Sequence, residues 1–444
     1  MKLVFEIIAL ALCAIIILTK GKKRANLYLL SAFFMPTIFG TAHVIFSISV
    51  LISLWINNEL QGQIRSFPFK NISITILCVY FLISIFDNRL SFIETVSRPI
   101  IYFVQTYLYL FIGYILFNDE KMWLSISKTL LIILTLFAVY GFLTWAMQAN
   151  PWYNFVSGVF EGTEDGMWSN VQDRGYRVCS FLYNPIAYGM VMGIGALSIW
   201  QLYLKTKNKK ILLLLVLIVI NVVLANSRTS IVAFGIAVIM YILFYNGISI
   251  NAMAKFGGIG IVIILLYFNI STLNEMIDSV IDLFISGGNN TYGSNIELKN
   301  RQLAASLLYF KESPLFGHGL QYFRENIQTR SGGVSDLAGL EGYGYRMLVE
   351  MGLSMILVFV IFIFQFIKFA LNNRKSSLQM SSIILSQFLA FIFFIIATGD
   401  YGNVFEFCLI IIGINLKYII IERNKYKTNY GNKRFSAFNK ELRG

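Results

Sequence analysis

Histidine and cysteine are scarce in this sequence, and their scarcity excludes several kinds of site. The 444 residues include two histidines, His43 and His318, which lie far apart, so a His-rich zinc or haem site is excluded. The four cysteines form no Cys-x-x-Cys pair, which excludes a disulfide scaffold. There is also no Walker loop, no HExxH and no DxD-type metal pair, so nucleotide-driven transport and metalloprotease chemistry have no support. We therefore expect neither a metal ion nor a cofactor.

Charge is scarce as well. Charged residues make up 13% of the chain, against about 25% in soluble globular proteins. Hydrophobic residues make up 57%, and the mean hydropathy is +0.67. The composition therefore predicts an all-α polytopic membrane protein. The net charge of +13 by itself suggests nucleic acid as a partner, but most basic residues fall in loops beside apolar runs. We therefore expect no nucleic acid partner.

Eleven apolar runs are long enough, or nearly long enough, to cross a bilayer. They are 3–19, 27–57, 72–86, 99–117, 129–147, 181–203, 211–246, 257–270, 345–370, 381–399 and 402–419. The 211–246 run is interrupted by Asn226-Ser227-Arg228, which predicts two short spans. The 27–57 run contains Pro36 and Gly40, which favour a hairpin. The total is then about 12 or 13 transmembrane helices. The first run is not expected to be a cleaved signal peptide, because it contains Glu6 and is followed by basic residues.

Lysines and arginines in the loops predict the orientation. Placing the basic loop at 205–210 in the cytoplasm puts about two thirds of the 36 Lys and Arg residues inside. Two long loops then lie outside, and parts of the larger one are expected to form helices at 274–285 and 295–311. The predicted organisation is N-terminal membrane helices (1–147), a first outer loop (148–180), central membrane helices (181–270), a large outer loop (271–344), C-terminal membrane helices (345–419) and a basic cytoplasmic tail facing membrane lipid (420–444).

Four arginines are predicted on the outer side. Arg177, Arg228 and Arg346 lie at the ends of spans, and Arg301 lies on the loop helix that precedes the PLFGHG turn at 314–319. An arginine at the edge of the hydrocarbon is unfavourable unless it meets an anion or a cavity. Its guanidinium can bond two phosphate oxygens at once, so these residues together predict a phosphate-binding pocket. For Arg346 the favoured alternative is an ion pair with Glu350, one turn further on. Arg228 has no acid nearby in the sequence, so the pocket is the favoured interpretation there.

Other side chains near the same mouth have two interpretations each. Glu341, one turn before the 345–370 span, is a candidate general base toward a sugar hydroxyl or else a solvated loop residue. Tyr343 and Tyr345 can stack on sugar rings or belong to an interfacial aromatic belt. His318, between two glycines, is a candidate glycan contact or part of a turn.

Four stretches, in this order, resemble the O-antigen polymerase and O-antigen ligase family of bacterial envelope glycosyltransferases. They are RVCSFLYNP at 177–185, NSRTS at 226–230, NR at 300–301 with SPLFGHG at 313–319, and EGYGYRMLVEMG at 341–352. The resemblance implies a GT-C-like membrane enzyme, metal-independent and inverting. Its substrate would be a glycan on undecaprenyl diphosphate at the outer face of the bacterial inner membrane, and a flippase and a chain-length regulator would be partners.

The resemblance also implies roles for individual residues. Arg228 and Arg301 would bind the diphosphate and act in catalysis, with Arg177 as an auxiliary contact. Ligases have a histidine at the start of the fourth motif, where this chain has Glu341, and this departure favours a polymerase of O-antigen or capsule repeats. A ligase transferring glycan to another acceptor is one alternative. A polysaccharide or small-molecule transporter is the other, although no internal repeat is visible.

Overall fold

The computed structural model describes residues 2–36, 40–159, 176–247, 249, 278, 281–282, 285–286, 296–323, 325, 342–399 and 403–441, with side chains to Thr428. In these ranges the regular structure is helical, and no strand occurs. The helices are α1 (Lys2–Leu18), α2 (Gly21–Phe34), α3 (Gly40–Ile56), α4 (Leu60–Ser66), α5 (Lys70–Ile85), α6 (Phe92–Phe103), α7 (Tyr109–Ile115), α8 (Glu120–Met147), α9 (Pro151–Val159), α10 (Pro185–Thr206), α11 (Lys209–Leu224), α12 (Arg228–Asn246), α13 (Ile296–Glu312), α14 (Tyr343–Glu350), α15 (Gly352–Asn372), α16 (Leu378–Ala397) and α17 (Val404–Glu441). A π-helical segment, Val104–Leu108, joins α6 to α7.

The architecture is that of a multi-pass membrane protein. Among the described residues, six helices are long and apolar enough to cross a membrane, or seven if the bent pair α3–α4 counts as one span. The shorter helices α1, α2, α3 and α5, of 14 to 17 residues, cover most of the predicted runs at 3–19, 27–57 and 72–86. The predicted run at 257–270 lies outside the described residues. The total of 12 or 13 crossings therefore stays a prediction.

Two predicted breaks in the long apolar runs are confirmed. The 27–57 run forms α2 and α3. The two helices are antiparallel, as shown by the bonds of Arg24 to Ser53 and of Tyr28 to Ser47. The 211–246 run forms α11 and α12, with Asn226 in the left-handed backbone region between them at φ +47°. The predicted helix at 295–311 is observed as α13. The amphipathic helix predicted at 274–285 lies largely outside the described residues.

The prediction of one continuous span over 345–370 is wrong. The chain forms α14, leaves the helical conformation at Met351, and begins α15 at Gly352. Gly352 has a φ of +62°, which interrupts the helix although hydropathy continues through it. Arg346 therefore lies on a separate short helix that precedes the span. In addition, α17 continues from its apolar part into the predicted tail as far as Glu441.

Three helices form the centre of the bundle. In the apolar stretches of α10, α16 and α17, 83%, 78% and 94% of the residues are buried. The corresponding fractions for α8, α12 and α15 are 44%, 22% and 33%, so these three helices present apolar side chains outward. Such exposed apolar faces fit contact with lipid.

A buried polar triad joins the three central helices. The Asn415 amide of α17 donates to Ser198 of α10 and to Gln387 of α16, both at 2.8 Å. Gln387 in turn donates to Ser198 and to the Ile194 carbonyl, also at 2.8 Å. Because water is absent from such a core, each polar atom depends on the other helices for its partner. The triad therefore fixes the register of α10, α16 and α17.

We expect Gln387→Leu to lower the midpoint of thermal unfolding in detergent. The substitution removes three interhelical bonds, each worth about 0.6 to 1.7 kcal/mol in membrane proteins, so the loss should be about 2 kcal/mol. Gln365→Leu is the matched control, because Gln365 is exposed on α15. Equal midpoints for the two variants would contradict a stabilising role for the triad.

Candidate active site

Arg228 is the first residue of α12, and local sequence fixes it there. Ser227 caps the helix, with its hydroxyl accepting from the Ser230 N–H. The Ser230 hydroxyl donates to the Ile186 carbonyl at 2.8 Å, which ties the start of α12 to the start of α10. The half-buried Arg228 side chain therefore lies at the end of the bundle where α10 and α12 begin. We call this end the arginine end.

Arg177 is brought to the same place by the segment that precedes α10. The N–H of Val178 donates to the Leu224 carbonyl at 3.2 Å, so this segment runs beside the turn between α11 and α12. Asn184 then caps α10 and Pro185 is its first residue, which explains the Asn-Pro pair of the first motif. The Arg177 side chain is itself buried, at 4% exposure.

Arg301 lies on α13 and is exposed. The Lys299 ammonium of the same helix donates to the carbonyl of Ala397, the last residue of α16, at 2.7 Å. At the opposite end of the bundle, Arg374, just before α16, donates to the Phe244 carbonyl of α12. The helices α12 and α16 are therefore antiparallel, and α13 lies at the arginine end. The structure thus brings the segments carrying Arg177, Arg228 and Arg301 to one end of the bundle.

The non-helical residues 314–319 and the α14–α15 junction at 349–354 pair with each other through their backbones at this end. The N–H groups of His318 and Gly319 donate to the carbonyls of Val349 and Glu350, at 2.9 and 3.0 Å. The N–H groups of Leu353 and Ser354 donate to the carbonyls of Pro314 and Leu315, at 2.8 and 3.0 Å. We call this four-bond pairing of 314–319 with 349–354 the clasp. It explains why the third and fourth motifs occur together.

Two glycines permit the close approach in the clasp. A Cβ on Gly317 would meet the backbone of Glu350 at 2.4 Å, and one on Gly352 would meet the Gly317 nitrogen at 2.6 Å. Both residues also have positive φ angles, +66° and +62°. Other residues are excluded from these two positions by sterics and by backbone conformation together.

A buried charged cluster lies directly behind the clasp. The Glu350 side chain is fully buried and accepts from Arg346 Nε and from the Tyr102 hydroxyl, both at 3.0 Å, and from the Phe323 N–H. Arg346 also bonds the Tyr102 hydroxyl. The ion pair expected between Arg346 and Glu350 is thus observed. Arg346 therefore neutralises a buried carboxylate, whereas Arg177, Arg228 and Arg301 are the predicted phosphate contacts.

The remaining predicted site residues are placed as follows. The His318 ring bonds the Tyr309 carbonyl at 2.9 Å and stacks on Tyr322, so it takes part in the turn. Tyr343 is buried, with its hydroxyl 3.4 Å from that of Tyr80, and this leaves no ring face open to a sugar. Tyr345 is half-buried. Glu341 lies outside the described residues, while its neighbour Gly342 donates to the Thr398 carbonyl at the arginine end.

Sequence reasoning missed four residues of the N-terminal third that contact this region: Asp87, Arg89, Arg98 and Tyr102. Arg98 donates to the Leu320 carbonyl and pairs with Glu94 and Glu325. The Ser91 N–H and hydroxyl, with the Arg98 guanidinium, lower the pKa of the Glu94 carboxyl to about 2. The only signal in the sequence was the Ser91-to-Glu94 spacing of a helix capping box, which predicts a helix start but not its partner.

No three His, Cys, Asp or Glu side chains of the described ranges are grouped so that they could hold a metal ion. What the arginine end offers instead is positive charge from guanidinium groups. Such groups suit a phosphate or diphosphate, since each can make two parallel hydrogen bonds to its oxygens.

We expect Gly317→Ala and Gly352→Ala each to destabilise the protein by about 2–5 kcal/mol, from the left-handed backbone and the overpacked contact together. The measurement is the yield of monodisperse protein in detergent. Gly235→Ala is the control, because its Cβ would meet nothing within 4 Å. A normal yield for both clasp variants would contradict the steric argument.

Comparison with known families agrees with the geometry. Residues 213–360 match the model of a family described as O-antigen ligase. No curated protein sequence matches the chain. The matched range includes Arg228, Arg301, position 341 and both halves of the clasp, and it confirms the resemblance predicted from the motifs. Residues 213–360, about a third of the chain, are therefore similar to the O-antigen ligase family.

Proposed function

We propose that this protein is a polysaccharide polymerase. It transfers a glycan from undecaprenyl diphosphate to a sugar hydroxyl of a second lipid-linked repeat unit, of O-antigen or capsule type. The family domain supports glycan transfer from a lipid-linked donor in general. The observation that carries the finer proposal is the location of Arg228 and Arg301 at one end of a membrane helix bundle.

The chemistry of the donor requires positive charge at this place. As the bond between the anomeric carbon and the diphosphate oxygen breaks, the electron pair moves to the diphosphate and its negative charge rises. Arginines already held in position stabilise that charge without reorganisation. In the proposal Arg228 and Arg301 bind the diphosphate, and Arg177 assists. The guanidinium groups supply the charge that a metal ion supplies in other transferases, so the proposed reaction needs no metal.

The acceptor hydroxyl attacks the face opposite the diphosphate and inverts the anomeric centre. Its proton goes to a general base, for which we propose Glu341. Support comes from the neighbouring Gly342, which is anchored to Thr398 at the arginine end. Within the fourth motif this chain departs from the ligases at position 341, where a carboxylate replaces a histidine, and this difference favours the polymerase. The predicted glycan contacts are His318, Tyr343 and Tyr345. Because Tyr343 is buried, a sugar contact by this residue loses its support.

The proposed location is the bacterial inner membrane, with the arginine end facing the periplasm or exterior and the C-terminus in the cytoplasm. The excess of Lys and Arg in the loops assigned to the inside supports this orientation. A flippase must then deliver the lipid-linked repeat to the outer face, and a chain-length regulator is a further expected partner.

We expect Arg301→Ala to abolish polymer formation at a normal protein level, because the leaving group loses a cation that is present before reaction. Arg301→Lys should recover little activity, since an ammonium cannot make the two parallel bonds of a guanidinium. The assay follows polymer length from purified lipid-linked repeats. Lys311→Ala, which removes an exposed cation from the same helix, is the control and should stay active. Full activity of Arg301→Ala would refute the site.

The second test measures the polyprenyl-diphosphate glycans of cells that lack this gene by mass spectrometry. We expect single repeat units to accumulate at the outer face, since their polymerisation has stopped. Full-length polymer retained on its carrier would instead indicate a ligase, the activity named in the family description. An unchanged pool would refute both and favour a transporter.

A further inference from the structure

The turn between α5 and α6 contacts the clasp from a distant part of the sequence. This turn, residues 86–91, places Asp87 and Arg89 against residues 316–322. The Asp87 carboxylate is buried, at 2% exposure, while the Arg89 side chain is 33% exposed. The proposed chemistry uses neither residue.

Arg89 bonds to both chain segments. Its Nε donates to Asp87 at 2.8 Å, and a terminal nitrogen donates to the same carboxylate. That terminal nitrogen also donates to the His318 carbonyl at 2.8 Å, and the guanidinium lies 4.6 Å from the centre of the Tyr322 ring. One side chain thus joins the α5–α6 turn to a carbonyl 229 positions further along the chain.

The fit of the two segments leaves no spare room. A Cβ on Gly319 would lie 1.9 Å from an Asp87 carboxylate oxygen, so only glycine allows the carboxylate to approach. Next to this contact, the rings of Phe86 and Phe316 stack with their centres 4.5 Å apart. The α5–α6 turn therefore contacts the chain on both sides of His318, at Phe316 and at Gly319.

His318 connects the α5–α6 turn to α13 by two hydrogen bonds. Its backbone carbonyl is held by Arg89, and its ring bonds the Tyr309 carbonyl in the last turn of α13. Arg301 is two turns earlier on that helix. The α5–α6 turn therefore contributes to the position of α13 through one intermediate residue, His318.

We propose that Asp87 and Arg89 are positioning residues for glycan transfer: they hold residues 316–322, and through His318 they orient α13 so that Arg301 faces the diphosphate. This inference rests on the proposed function. Because the Asp87 carboxylate is buried, removing the Arg89 guanidinium leaves this charge with fewer partners and lowers stability. The carboxylate keeps a bond from the Arg89 backbone N–H. Glutamine retains a side-chain N–H donor and lysine retains the positive charge, so both Arg89 variants are expected to fold while the contact with the His318 carbonyl is lost or displaced.

The test compares Arg89→Gln and Arg89→Lys with wild type, using purified lipid-linked repeats as substrate. Arg374→Gln is the matched control, because Arg374 also donates to a backbone carbonyl but at the opposite end of the bundle. We expect Arg89→Gln to lower kcat by about 10- to 100-fold with KM changed less than about twofold, as for a reacting group displaced by about 1 Å. Arg89→Lys should be intermediate, and Arg374→Gln should match wild type.

A second readout is independent of activity. Leu320 is fully buried beneath the clasp, so a Leu320→Cys substitution, made with Cys78→Ser to remove the exposed native cysteine, reports opening of this segment. A water-soluble maleimide should label it faster when Arg89→Gln is added and at the parent rate when Arg374→Gln is added.

Three outcomes would overturn the inference. The first is wild-type kcat in Arg89→Gln, and the second is unchanged maleimide labelling in that variant. The third is loss of monodisperse protein in both Arg89 variants, which would assign the pair a structural role. Failure of the proposed function gives a different result, since wild type itself would then form no polymer while the labelling difference persisted.

Discussion

The arrangement of the arginine end depends on the need of every buried backbone polar group for a partner. Inside a helix this requirement is met locally. Residues 314–319 lie outside the helices, and residues 349–354 span the junction between α14 and α15, where carbonyls at the end of one helix and N–H groups at the start of the next have no partner within their own helix. Each stretch meets it through the other, by the four bonds of the clasp. The glycines at 317 and 352 are consequences of that pairing, because any side chain there would separate the two backbones. The clasp follows directly after α13, so the same pairing also restrains the end of the helix that carries Arg301.

The charged residues divide into two groups with different physical roles. Arg346 and Glu350 neutralise each other in a buried pair completed by Tyr102, and breaking such a pair leaves an uncompensated charge. Arg301, by contrast, is exposed on α13, a helix that is bonded to Ala397 through Lys299 and to His318 through Tyr309. Buried pairs of this kind give rigidity, while an accessible cation on a rigid support suits a charged ligand. The arginine end thus combines a neutralised buried pair, which restrains the structure, with an exposed cation that a charged ligand can reach.

Much of this was predictable from sequence because it is local. The apolar runs gave the helices, Asn226 gave the break before Arg228, and Asn184-Pro185 marked the start of α10. The Arg346–Glu350 pair followed from its four-residue spacing. The match of a family domain to 213–360 confirmed the resemblance that these motifs suggested.

What failed was long-range or invisible to hydropathy. The contact of Arg89 with His318 joins residues 229 positions apart, and no pattern in either segment predicts that the two are in contact. The break at Gly352 was missed because the residues on both sides are apolar, so the pattern looks continuous. Tyr343 was expected to contact a sugar or to lie in an interfacial aromatic belt, but it is buried with its hydroxyl 3.4 Å from that of Tyr80. Tyr80 lies on α5, and hydropathy alone does not show that its hydroxyl faces another helix. The role of Glu341 as a general base stays a prediction, because this residue lies outside the described ranges.

The length of α17 has a mechanical consequence. Its 38 residues span about 57 Å, nearly twice the ~30 Å hydrocarbon thickness of a bilayer. One end touches the α14 region, where Phe405 packs against Tyr343, and the other carries a run of basic residues. A stiff rod of this length acts as a lever, so a tilt of roughly 5° displaces its far end by about 5 Å. Events at the basic end and the packing beneath Gly342 are therefore joined by one continuous helix, without any intervening loop to absorb the motion.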